Sequence, residues 1–146
     1  MYSIKVDKDI VVAIKEVDVD IIMPHEKVLL DKKDILKNNL KYKDEYIIIS
    51  TILICSKSNM IIDGHHRYTA LKELGYKKIP VTLINYFSDK IITGKNETLL
   101  KKNIISNSQN NNLYDPKTTK HLIYCNESKK WHPITLISSL YNLSVK

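Results

Sequence analysis

The chain has 146 residues, 43% of them hydrophobic, and a formal net charge of +7. That length suits one domain with a proper core and is short for two. No stretch approaches the ~18 uninterrupted apolar residues that a membrane helix needs, and the lysines are spread along the chain rather than gathered on one face, which argues against a nucleic-acid surface.

The first residues, Met1 to Lys5, carry no apolar signal core, so a reducing cytoplasm is the expected location. Cys55, inside an apolar run, is expected to be a buried thiol; Cys125 is the other cysteine. Val11 to Val19 alternates loosely and predicts a strand or strand pair. Ile21 to Met23 extends to Pro24, and Glu26 is expected at the front of a helix with apolar positions Val28, Leu29, Ile35, Leu36 and Leu40. An acid in a first helical turn suits the dipole, so Glu26 has an ordinary explanation as well as a chemical one.

After a polar connection, 41–45, the β-branched run Tyr46 to Cys55 predicts a buried strand. Ser50 and Thr51 interrupt it, with hydroxyls that either bond to backbone or face a site; Ser50 is the candidate substrate contact. A turn over 56–59 leads into a short strand, Met60 to Ile62. Then comes Asp63-Gly64-His65-His66-Arg67, followed by a helix that Gly75 stops. Strand, glycine turn and helix start together build anion sites: glycine allows close approach, and the first helical N–H groups point at the ligand. Of the 23 basic residues, Arg67 alone is an arginine. Its planar fork grips phosphate with two bonds where lysine offers a point charge. The turn predicts a phosphate site with a metal-binding or base-type acid, Asp63, beside it. The plainer reading makes Asp63 a helix cap and Arg67 a surface pair.

A strand over 81–86 follows, completing a small mixed α/β unit of strand, helix, strand, strand, helix, strand. From about Gly94 the chain turns polar and asparagine-rich, with only Leu99, Leu100, Ile104 and Ile105 to bury; a short amphipathic piece followed by a polar linker is expected near 95–113. Tyr114 to His121 offers a second anion-friendly loop. Leu136, Ile137, Leu140 and Leu143 fall at helical spacing and predict a closing helix, with Trp131 a core anchor before it.

Three ordered pieces now stand together: Pro24-His25-Glu26, Asp63-Gly64-His65-His66-Arg67, and Pro116-Lys117-Thr118-Thr119-Lys120-His121. This set resembles the ParB/sulfiredoxin-like superfamily, and within it the free L-serine kinase branch. The resemblance covers residues 10–90 firmly and 114–142 more loosely. It implies a single α/β domain over 1–146 and transfer of a phosphoryl group from ATP or ADP to the hydroxyl of L-serine, with Mg²⁺. Residue by residue, it implies that Glu26 takes the hydroxyl proton and that Asp63 holds the metal. Gly64, His65, His66 and Arg67 would cradle the nucleotide phosphates, while Lys117, Thr119 and His121 would grip the amino acid. Its implied partners are small molecules, with no membrane and no nucleic acid; the oligomeric state is open.

The chain departs from related branches. His65 stands where sulfiredoxins carry a cysteine, and the Gly-Glu-Arg-Arg turn and helix-turn-helix of the ParB partition proteins are missing. It departs from the kinase pattern too: it is shorter, and Ile92-Thr93-Gly94 stands where a tryptophan is expected. The competing reading is a ParB-like nucleotide- or DNA-binding regulatory module without turnover.

Overall fold

A computed structural model describes residues 4–43, 45–94, 100–116 and 118–145. Its frame is a four-stranded sheet in the order β1 (Val11–Asp18), β6 (Lys78–Ile84), β4 (Ile52–Cys55), β5 (Ile61–Asp63). Strands β4 and β6 run parallel, and the other two pairings are antiparallel. The expected mixed α/β class is what forms.

Strand β4 is buried at every position, as its continuous apolar run requires of a central strand. Successive side chains face opposite ways. Ile52 and Ile54 join one core with Ile47, Ile61 and Leu71, while Leu53 and Cys55 join a second with Met60, Ile84, Ile104 and Ile123. Both cysteines are buried and free.

The run expected as one strand from Tyr46 to Cys55 divides at Thr51. Tyr46–Ser50 forms β3, which pairs with β2 (Lys41–Lys43) and β10 (Leu140–Ser144) in a separate three-stranded sheet. Thr51 pins the corner: its Oγ1 lies 2.7 Å from Thr82 Oγ1 and accepts the Ser139 N–H at 3.0 Å. The polar 41–45 connection therefore contains a strand. A third sheet joins β7 (Ile91–Ile92), β8 (Leu122–Cys125) and β9 (Lys130–Pro133).

Four local expectations are corrected. The helix expected from Glu26 is α1, Leu30–Asn38. Residues before it stay extended because Glu26 bridges to Tyr114, Lys27 N–H donates to Tyr114 O at 2.8 Å, and Tyr114 N–H donates to His25 O at 2.8 Å. Within the expected polar linker, Lys101–Gln109 is a helix, α3. Ile104 is fully buried, and Ser108 Oγ donates to Pro24 O at 2.8 Å, so one apolar contact and a few polar anchors suffice to dock it. The 95–99 part of that linker lies outside the described residues.

The expected closing helix is instead a 3-10 turn, Ile134–Ile137, and strand β10. Pairing with β3 places Leu143 in the core and leaves Leu140 exposed. Trp131, expected as a core anchor, stands 40% exposed on β9, packed edge-on against Tyr124. Among the described residues, no helix is long and apolar enough to cross a membrane.

Candidate functional site

Helix α2 (His65–Glu73) opens directly after β5, on Gly64. Gly64 takes φ +110°, and a Cβ there would meet Arg67 Nη2 at 3.0 Å. Glycine is thus required both by the backbone conformation and by the close approach of the guanidinium. No side chain caps α2, so Asp63 does not play the helix-cap part. The uncapped helix start leaves room for an anion acceptor.

Arg67 folds back under this turn. Its Nη2 donates to Thr51 O at 3.1 Å and stands 3.7 Å from Asp63 Oδ2, while its Nε is buried without a partner. Burial lowers the guanidinium pKa from its ordinary value, and Asp63 opposes that shift. The carboxylate side chain of Asp63 is 37% exposed.

The segment carrying Glu26 is clamped onto the same helix start. His65 Nε2 accepts the His25 N–H at 3.1 Å, and His66 Nε2 accepts the Leu29 N–H at 3.1 Å. The two adjacent imidazoles bracket Glu26 from either side. An Nε2 that accepts leaves the neutral ring's proton on Nδ1. Burial holds the His65 pKa well below its ordinary value, and the neighbouring His25, His121 and His66 push it the same way.

The third piece comes from the loop before β8. Glu26 Oε2 accepts from Thr119 Oγ1 at 2.7 Å and from Thr119 N–H at 3.2 Å. Thr119 Oγ1 also lies 2.8 Å from His25 Nε2, and His25 Nδ1 donates to Ile61 O at 2.7 Å. His25 is fully buried; burial lowers its pKa, with Glu26 the main opposing influence.

A cavity of about 840 Å³ opens over this junction, lined among others by Glu26, Ser50, Asp63, Gly64, Arg67 and Thr119. His65, His66 and Lys120 also reach it. Nine of the ten expected site residues lie among those described, and eight line this one cavity. His121 does not: it is buried, with Nε2 2.7 Å from Tyr86 Oη, and burial pushes its pKa down to about 3. Lys117 lies outside the described residues. Sequence reasoning missed His25 and Tyr86. The signal for His25 was its place beside Glu26, but nothing local announced its partner 94 residues away.

No family model matches the chain. Over 80 residues it is 35% identical to an ATP-dependent L-serine kinase of Staphylothermus marinus, covering 51% of this chain and 31% of the relative. An ATP-dependent L-serine kinase of Desulfurococcus mucosus is 32% identical over 77 residues, or 51% of this chain and 30% of that one. The chain thus spans about a third of the length of the curated relatives it matches. Among solved structures, a glutamate-to-glutamine variant of a free serine kinase in complex with AMP superimposes with a TM-score of 0.70 at 13% identity. That match covers 99% of this chain and 96% of the other. The resemblance to the serine kinase branch holds, and the fold is that of the free serine kinase.

Proposed function

We propose that the chain is a Mg²⁺-dependent kinase that transfers a phosphoryl group from ATP or ADP to the hydroxyl of free L-serine, giving O-phospho-L-serine. The observation that carries this reading is the convergence of Glu26, Asp63 and the Gly64–Arg67 turn on one cavity. Phosphoryl transfer asks a protein mostly for positioning and charge neutralisation, with one group to orient or deprotonate the nucleophile. The chain's similarity to the two ATP-dependent L-serine kinases supports the substrate, and the AMP held by the free serine kinase of like fold supports a nucleotide.

The nucleotide phosphates would lie against Gly64 and the uncapped start of α2. Arg67 faces the same place with a buried Nε that has no partner, the kind of atom that a bound anion satisfies. Gly64 allows that approach, while the bonds of His65 and His66 to the Glu26 segment fix the distance between base and phosphates. Asp63, half-exposed at the cavity, fits a magnesium site of the usual kind, in which one or two carboxylates share the ion with phosphate oxygens and water. Bound there, Mg²⁺ would neutralise charge on the transferring group.

Glu26 takes the proton of the serine hydroxyl. Its side chain is only 11% exposed and is held by both donors of Thr119, so the carboxylate reaches the nucleophile without first being ordered. Ser50, which also lines the cavity, contacts the amino acid, and Lys117 adds positive charge. His121 acts from behind the cavity, through Tyr86 and the loop that carries Thr119.

The test is direct. Incubation with L-serine, Mg²⁺ and ATP or ADP should yield O-phosphoserine by phosphorus NMR, with ADP or AMP as the other product. Folded protein that binds nucleotide yet makes no phosphoserine with either donor would favour a ParB-like binding module instead.

A further inference from the structure

Thr119 Oγ1 has one proton and two close acceptors. It stands 2.7 Å from Glu26 Oε2 and 2.8 Å from His25 Nε2. The ring of His25 cannot supply the missing proton while neutral, because Nδ1 faces the Ile61 carbonyl at 2.7 Å, and a carbonyl only accepts. Nε2 therefore presents a lone pair. Burial favours the neutral ring, against the pull of Glu26 and Asp63, and two imidazoles meet it edge-on: His65 at 4.5 Å and His121 at 5.8 Å between ring centres. Tyr114 at 6.3 Å, Glu26 and Asp63 complete the titratable surroundings.

While the His25 ring stays neutral, two proton arrangements are open to this chain of atoms. With Glu26 as carboxylate, the Thr119 hydroxyl donates to it, and the lone pairs of Thr119 Oγ1 and His25 Nε2 face each other with no proton between. With one proton on Glu26 Oε2, that proton is donated to Thr119 Oγ1, the threonine hydroxyl turns to His25 Nε2, and His25 donates to Ile61 O. Every contact is then a hydrogen bond. A satisfied buried chain is worth more than its separate bonds, and an unsatisfied one costs more.

We propose that Thr119 and His25 form a hydroxyl switch that lets Glu26 hold the proton taken from the substrate. The inference rests on the kinase reading for its substrate. In the step itself the substrate O–H bond breaks and an O–H bond forms on the Glu26 carboxyl. The new carboxyl O–H turns from the substrate towards Thr119 while Thr119 turns its own O–H from Glu26 to His25, and no other bond to hydrogen forms or breaks. His25 is a positioning residue that acts through Thr119. It is the reason for a threonine hydroxyl at this place rather than a second backbone donor.

The switch is separable from a merely structural threonine. Thr119→Ser keeps the hydroxyl and should keep turnover, whereas Thr119→Val should lower kcat at least about tenfold, the worth of one hydrogen bond to a charged group. A Thr119→Ser enzyme as slow as the valine variant would overturn the switch.

A second readout needs no turnover. In ¹⁵N NMR of the imidazoles, His25 Nε2 should change from a free to a hydrogen-bonded acceptor as the pH falls, and Thr119→Val should abolish that step. Conversion of Nε2 into a protonated nitrogen in the same step would place the proton on His25 and end the proposal. If the protein makes no phosphoserine while the NMR step and its loss in Thr119→Val are seen, the kinase reading falls and the switch stands.

Discussion

Glu26 is bound on three sides: by the two donors of Thr119, by the bridge of its backbone to Tyr114, and by the histidine bonds to His25 and Leu29. Glu26→Gln keeps the shape and an acceptor oxygen for Thr119, so the melting temperature should scarcely change. It removes the proposed base, and turnover should fall on the order of 10²- to 10⁴-fold. A variant that keeps most of its rate in the serine assay would end the assignment of Glu26 as base. The turn from Asp63 to Arg67 was legible because glycine conformation, helix start and a lone arginine are local facts. The use made of His65 and His66 was not, since their acceptor atoms serve amides about 40 positions away. His121 carries a prediction of its own. Its pKa is held down at about 3, so between roughly pH 6.5 and that value the unfolded chain takes up a proton that the native one refuses. Stability should then drop by about 1.4 kcal/mol per pH unit for this one ring as the pH falls through that window. Urea unfolding at pH 7, 6 and 5 measures the slope, to which buried His25 and His65 add in the same direction, and His121→Gln should reduce it by the share of this one ring.

Among the elements, those whose apolar period is satisfied by near neighbours were legible. Strand β4 declares itself by four apolar residues in a row, and α2 by its glycine at each end. Elements decided by distant partners were not. Leu136, Ile137, Leu140 and Leu143 keep helical spacing, yet β3 offers them an unpaired edge, and pairing there buries Leu143. Helix α3 is a sharper case, because its asparagines lower its local helix preference and only Ile104 and Ser108 are buried. Its existence depends on docking. Ile104→Ala should therefore cost about 2–5 kcal/mol, like other fully buried isoleucine truncations, rather than the few tenths expected of a residue in a polar tether. Hydrogen exchange of the Ile104 and Ser108 amides provides the check, with slow exchange in the wild type and fast exchange in the variant.

At the scale of the whole molecule, the candidate site is shared between distant parts of the chain. Glu26, Ser50 and Asp63 to Arg67 come from its first half, and Thr119 from the loop before β8. The two parts are tied by the Glu26–Tyr114 bridge, by Ser108 on Pro24, and by β10 completing the sheet of β3. The order of motifs in the sequence was readable; their closure into one cavity was not, because it depends on bonds spanning up to 94 positions. Such ties predict that the chain unfolds as one unit, as small single domains usually do. Two probes report on different parts. Far-ultraviolet circular dichroism follows α1 and α2 with the four-stranded sheet, while fluorescence follows Trp131, the single tryptophan, on β9 of the third sheet. Urea transitions seen by the two should coincide in midpoint and slope. A tryptophan transition at clearly lower urea would show that the sheet of β7, β8 and β9 melts by itself. Thr119 would then leave Glu26 before the rest of the site is lost, and nucleotide binding, which we propose rests on the Gly64–Arg67 turn, would outlast turnover across the same interval.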